Sequence, residues 1–361
     1  MDSCDVLVVG GGPAGSTCAR LLRNAGWDVV VLDRARFPRD KVCAGWVTPG
    51  VFELLELDPA DYRATGLTIQ TITGFRTSVL GGRSVETRYP DAISYAIRRC
   101  EFDDFLLRRS GARVIQSRPL ASLVRQDDMW LANDEIQARV VVAAGGHFCP
   151  VARQLRGGTD VVRPVVAKEA EFRMENGDSS VAGDTPELFF CRDLEGYGWC
   201  VRKGNYLNIG LGRRDNGDLN RHIVDFVDFL ERRGLAARAS IVRWCGHAYL
   251  ASGTGPRPIV GPGVLVAGDA AGLAYPESGE GIKPAVESGR LAAETLIAAG
   301  GRAGVDDLRP YEAALRRRYP AAAKTPDALA GAVKTAGRLL LRSRAFTRHV
   351  LIDRWFLHTH N

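Results

Sequence analysis

Gly10, Gly12 and Gly15 have the spacing of a glycine turn that cradles phosphate, and an acid, Asp33, follows where a second strand ends. In such a turn Gly10 allows the tight reversal, Gly12 lets a pyrophosphate approach the backbone, and Gly15 lets a helix pack closely on a strand. Pro13 and Ala14 open that helix, whose free N–H groups and positive dipole end suit phosphates. Asp33, with Arg34 beside it, stands where a carboxylate accepts hydrogen bonds from a ribose diol, which favours an unphosphorylated adenosine ribose. A second candidate lies near the far end of the chain, at Gly268-Asp269. A nicotinamide enzyme has no use for a second dinucleotide contact so far from the first, whereas a flavin enzyme has. Asp269 is suited to the ribityl and pyrophosphate region of FAD. Gly279, Gly281 and Ile282 then open a helix whose N–H groups would stabilise negative charge on a reduced flavin ring. Noncovalent FAD is therefore the expected cofactor, since these motifs tie none of the eight cysteines or six histidines to a flavin link.

The elements that must position these residues follow from apolar patterning. Val6–Val9 and Val29–Leu32 read as buried parallel strands flanking a helix, and Val264–Ala267 and Val140–Ala143 read as further strands of the same kind. Between the flavin motifs the pattern changes to half-buried strands. These are Val165–Phe172, Glu187–Cys191, Gly198–Arg202, Tyr206–Gly212 and Ser240–Trp244, interrupted by one amphipathic helix, Leu219–Arg232. Thr68–Arg88 also reads as strands around Gly81-Gly82, and both pieces are expected in one antiparallel sheet. The fold class is α/β: a Rossmann-like FAD-binding domain, an interleaved antiparallel-sheet substrate domain and a C-terminal helical segment. The expected boundaries are 1–64, 92–157 and 256–305 for the first, 65–91 and 158–255 for the second, and 306–361 for the third.

With these motifs in place the chain resembles the glutathione-reductase-type flavoproteins of the aromatic hydroxylase group, and within them the geranylgeranyl reductases. The likeness spans roughly residues 1–300. Ile97-Arg98-Arg99-Cys100-Glu101-Phe102-Asp103 matches a segment where an Arg and a Phe-Asp pair recur, which implies a cofactor role for Arg99. Ala143-Ala144-Gly145-Gly146 stands where the family has Ala-Asp-Gly beside the pyrophosphate, so Ala144 and Gly145 are implied contacts although the Asp is missing. Lys41-Val42-Cys43-Ala44-Gly45 resembles the reductases' Lys-x-Cys-Gly-Gly loop, with Ala44 for a Gly. Gly196-Tyr197-Gly198-Trp199-Cys200-Val201-Arg202 resembles their Tyr-x-Trp-x-Phe-Pro substrate motif, with Val201 and Arg202 departing from it. On a strand, Tyr197 and Trp199 face the same way, either as an apolar wall or as ordinary inter-sheet packing. Cys43 is either a proton donor or a space-filling residue.

Three chemistries suit this scaffold: reduction of a carbon–carbon double bond, hydroxylation and halogenation. The Cys43 loop and the Tyr197–Trp199 pair favour the first, on a hydrophobic small molecule such as an isoprenoid. A non-catalytic flavin-binding protein is the remote alternative. No second nucleotide fingerprint exists, so NAD(P)H or another electron donor is expected to act transiently. Composition agrees with an enzyme of large core: 361 residues, 45% hydrophobic and 25% charged. Eight cysteines lie scattered without metal-ligand spacing, and no leader or membrane-spanning run is visible, which implies reduced thiols and a cytoplasmic protein. Cys4 and Cys18 read as small packing residues. The net charge of +6 is concentrated beyond Tyr311, where ten Lys or Arg face three acids. That basic, apolar-striped tail has two readings: packing on the substrate domain, or lying peripherally on an anionic membrane. Nothing resembles a nucleic-acid reading motif.

Overall fold

The computed structural model describes residues 2–158, 164–175, 179–214, 218–253, 257–320 and 327–358, with side chains omitted for 327–333. The chain forms two compact units. The first comprises Met1–Asp40, Cys100–Arg163 and Tyr249–Ala322; the second comprises Lys41–Arg99, Pro164–Ala248 and Ala323–Asn361.

The first unit is built on parallel strands. Val264–Val266, Ile136–Ala143, Asp2–Val9, Val29–Leu32 and Arg113–Ile115 lie side by side in that order. Their near-continuous Val and Leu runs suit a sheet covered on both faces, and Val6, Val8, Val30, Val31 and Val140–Val142 are fully buried. A hairpin of Leu123–Gln126 and Met129–Ala132 pairs with the start of Ile136–Ala143. The helices Pro13–Asn24 and Ile282–Ala298 pack on each other. Their contact is close enough that a Cβ on Gly289 would overlap the Ala14 carbonyl.

The second unit holds a seven-stranded sheet in the order Cys245–Tyr249, Val165–Arg173, Tyr206–Arg213, Gly196–Lys203, Glu187–Phe190, Gly74–Val79, Val85–Arg88. One face packs on the helix Leu219–Arg232 through Ile223, Phe226, Val227 and Leu230. The opposite face carries Trp199, Val201, Leu188 and Phe75, covered by Leu341, Leu351, Ile352 and Phe356.

Three expectations change. The strand expected at Ser240–Trp244 is a short 3-10 turn, Arg238–Ser240, followed by irregular chain, and the strand starts at Cys245. Thr68–Arg88 divides: Ile69–Ile72 joins a separate sheet with Trp46–Val47 and Ser94–Ile97. The rest does enter the large sheet, but Gly74–Val79 pairs with Glu187–Phe190 in parallel. Alternating patterns fix which residues face the core, not which neighbour completes the ladder. By packing, 41–64 and 92–99 fall with the sheet of the second unit, and the helix Val305–Arg318 falls with the first unit, apart from the rest of the tail.

Candidate active site

In the first unit the loops that leave three parallel strands meet at one point. Register aligns Val9 with Ala143 and Ala143 with Val266, so the chain turns out of the sheet at Gly10, Ala144 and Ala267 together. Ala14, Ala267 and Ala285, with Ala144 against them, form a patch of small side chains where both fingerprints converge. Gly10 is needed twice over: its φ is +111°, and a Cβ would overlap the Ala144 carbonyl. A Cβ on Gly15 would overlap the Gly10 carbonyl. Gly12 differs. Its φ of −77° suits any residue, and among the described residues the only atom within 4 Å of an added Cβ is Arg39 Nη2, at 3.4 Å. The protein itself gives no reason for glycine there, whereas a pyrophosphate on the backbone does.

The surroundings fit the same group. Gly12 and Gly281 cap the helices Pro13–Asn24 and Ile282–Ala298 with no side-chain hydrogen bond, which leaves N-terminal N–H groups for an anion. Asp33 is buried and accepts from Gly11 N–H at 2.7 Å and Ala35 N–H at 2.8 Å. It therefore braces the glycine turn, and an ionised carboxylate keeps lone pairs for a ribose. Arg34 beside it is exposed. Asp269 sits in a 3-10 turn with Oδ1 3.0 Å from where a Gly281 Cβ would be, and Gly268 N–H donates to Ser288 Oγ at 2.9 Å. Gly279 has a φ of +71°, with the Tyr249 hydroxyl where its Cβ would go. Gly145 lies against Cys149. Sequence reasoning missed Arg39, whose guanidinium is held by the buried Asp103 at 3.2 Å and lies over Phe37. Its visible signal was the Asp103 of the Arg-to-Asp segment.

Arg99 is buried and ends the 41–99 segment of the second unit. That unit brings Cys43, Tyr197 and Trp199 to one sheet face. Trp199 is 6% exposed and lies flat across Gly210, where any Cβ would strike the indole. Its Nε1–H donates to Asn208 Oδ1 at 2.7 Å. Tyr197 is half-buried against Phe190 and Phe356, with ring centroids 5.8 and 5.6 Å away. Cys43, also half-buried, receives a hydrogen bond on Sγ from Gly45 N–H at 3.4 Å, and Ala44 packs at the edge of the apolar cluster. Beneath the Cys43 loop lie charged groups to which the motifs gave no role, with Lys203 and Glu169 buried. Lys203 Nζ meets Glu171 Oε2 at 2.7 Å, and Arg98 Nε meets Glu171 Oε1 at 2.8 Å. Burial pushes the Glu169 carboxyl up to about 7. Burial acts on Glu171 too, but Lys203 and Arg98 outweigh it and hold that carboxyl low. Lys41, from the same motif as Cys43, reaches His247 Nε2 at 2.7 Å.

Comparison with known proteins agrees with this geometry. A family model described as an FAD binding domain matches residues 3–79. The chain is 33% identical over 332 residues to a menaquinone reductase of Mycobacterium tuberculosis, covering 82% of this chain and 77% of the relative. It is 30% identical over 334 residues to a digeranylgeranylglycerophospholipid reductase of Methanothrix thermoacetophila, covering 86% and 82%. Among solved structures, a geranylgeranyl bacteriochlorophyll reductase-like protein of Thermoplasma acidophilum superposes with a TM-score of 0.74 at 21% identity, over 94% of this chain and 88% of that one. The chain binds FAD and belongs to the geranylgeranyl-reductase family of FAD-dependent oxidoreductases.

Proposed function

We propose that this oxidoreductase reduces carbon–carbon double bonds of a hydrophobic, isoprenoid-type small molecule. The observation that carries the reading is likeness over most of the chain to relatives named for reducing menaquinone and digeranylgeranylglycerophospholipid. FAD, when bound, supplies the hydride. Gly10, Gly12, Gly15, Asp33 and Asp269 would hold it. Tyr197, with Phe190 and Phe356, offers an aromatic surface to an apolar chain, and Trp199 backs it. The Cys43 thiol is the proton donor for the second carbon.

The experiment is anaerobic reduction of the flavin with NADH, NADPH and dithionite, followed by reoxidation with polyprenyl substrates and, separately, with oxygen. Reoxidation by the polyprenyl substrate without oxygen, with saturated product, is expected. A hydroxylated or halogenated product formed only with oxygen overturns the reading.

Contact with a lipid surface belongs to the same proposal. No helix among the described residues is long and apolar enough to cross a membrane. Leu339 and Leu340 are nevertheless exposed at 62% and 44%, beside exposed Arg338, Arg342 and Arg344. Such a basic, apolar rim suits an anionic bilayer. Co-sedimentation with phosphatidylglycerol vesicles, absent with phosphatidylcholine and lost in a Leu339→Ser/Leu340→Ser variant, is the expected result.

A further inference from the structure

We propose that Glu169 and Asn208 are positioning residues that hold the backbone of Cys43 from both sides, with Trp199 fixing the orientation of the Asn208 amide. The proposal rests on the reading that Cys43 acts in the reaction. Cys43 N–H donates to Glu169 Oε2 at 2.6 Å, and Asn208 Nδ2 donates to Cys43 O at 3.4 Å. Both polar groups of one loop residue are thus held by side chains from two paired strands, Val165–Arg173 and Tyr206–Arg213. The two side chains also meet each other, Asn208 Nδ2 lying 3.3 Å from Glu169 Oε2 and 3.2 Å from Glu171 Oε2.

The amide's orientation is dictated chemically. An indole N–H only donates, so Trp199 requires Oδ1 on its side. The NH2 group then faces the two carboxylates and the Cys43 carbonyl, all of which only accept when the acids are ionised. Turning the amide over would leave two donors facing each other and an oxygen facing carboxylates. Asn208 is fully buried and Glu169 nearly so, so water offers no easy substitute for a lost partner.

The loop is pressed onto this clamp. Gly45 has a φ of +67°, and a Cβ there would overlap the Ile97 carbonyl and lie 2.6 Å from Lys203 Nζ. Among the described residues, Cys43, Asn208, Glu171 and Lys203 face Glu169, and Arg98 pairs with Glu171. Burying two carboxylates, a lysine and part of an arginine costs more than an apolar core of the same volume would. What this arrangement supplies in return is a fixed place for Cys43. Because burial brings the Glu169 carboxyl up to about 7, protonation near neutrality replaces a charge-assisted acceptor by a neutral one, and the hold on Cys43 weakens as pH falls through that value.

Three variants test the clamp: Glu169→Gln, Asn208→Leu and Trp199→Phe. The first readout is hydrogen exchange in the 41–47 segment, and the second is iodoacetamide labelling of Cys43 resolved by peptide mass. Asn208→Leu and Trp199→Phe are each expected to speed exchange at Cys43 about tenfold, and the double variant no more than Asn208→Leu alone, because both break one chain of hydrogen bonds. Wild-type exchange, corrected for intrinsic chemistry, should change between pH 6 and pH 8, and Glu169→Gln should abolish that change and flatten the same limb of the turnover–pH profile. Wild-type protection in Asn208→Leu and Trp199→Phe, additive effects, or an unchanged pH response in Glu169→Gln each overturns the proposal. If Asn208→Leu does not fold, the near-isosteric Glu169→Gln and Trp199→Phe still decide. Exchange and labelling need no substrate, so the reductase reading and the clamp can fail separately.

Discussion

Two kinds of glycine can be told apart in the cradle. Gly10 and Gly15 are demanded by the chain itself, so Gly10→Ala and Gly15→Ala should lower the thermal midpoint even without flavin. Gly12→Ala should leave the apoprotein's melting unchanged and lose most of the FAD, read from the flavin absorbance of purified protein. Asp269→Ala removes a charged acceptor and should weaken FAD binding by about 1–3 kcal/mol, measured by fluorescence titration. Glu169 gives a pH test of stability. Its folded pKa of about 7 exceeds the ordinary glutamate value of 4.5, so between those values the folded state holds more protons than the unfolded one. Its contribution is therefore fully present below about 4.5 and lost as pH rises through about 7. Glu169→Gln removes this loss, and its stability relative to wild type should rise from pH 4.5 to pH 8 by up to about 3 kcal/mol in denaturant titrations.

Among elements, the helix pair Pro13–Asn24 and Ile282–Ala298 governs the cradle. Gly289 sits where the second helix crosses the backbone of Ala14, beside the glycine turn. Gly289→Val should force the helices apart, cost about 1–3 kcal/mol as an overpacked contact and reduce FAD content, while leaving the sheet of the second unit intact by hydrogen exchange. The sequence showed each helix through its glycines and apolar face. Their contact was not legible, because amphipathic patterning records that a face is buried and not by what. The same limit explains the parallel pairing of Gly74–Val79 with Glu187–Phe190. The edge strand at Cys245–Tyr249 was misplaced because Ile241, Val242 and Trp244 look strand-like, yet Val242 is 91% exposed.

Over the whole molecule, each unit is assembled from three separated stretches of chain. The matched FAD-binding model ends at residue 79, whereas Gly268 packs against Ala14 and Ala285 from the other end of the chain, and the proposed cradle includes it with Asp269 and Gly281. A fragment of residues 1–163 lacks those groups and the strand Val264–Val266, and should hold no FAD when purified beside the full chain. Retention of flavin by that fragment would show the N-terminal fingerprint to be sufficient. The tail is split in the same way. Leu341, Leu351, Ile352 and Phe356 are buried on the sheet of the second unit, as the packing reading expected, while its arginines stay at the surface.

The sequence alone determined the cofactor, because strand, glycine turn, helix and acid are local signals with fixed spacing. It also marked Cys43, Tyr197 and Trp199, through motif likeness and the two-residue period of a strand. Only the tertiary structure decided what surrounds them. Glu169, Glu171, Lys203 and Asn208 read individually as unremarkable polar residues on strands, and Arg98 as the residue between a strand and a helix; together they come from four separate stretches of sequence. Their buried hydrogen bonds depend on sheet register and loop path, which are set by long-range packing and leave no periodic trace along the chain.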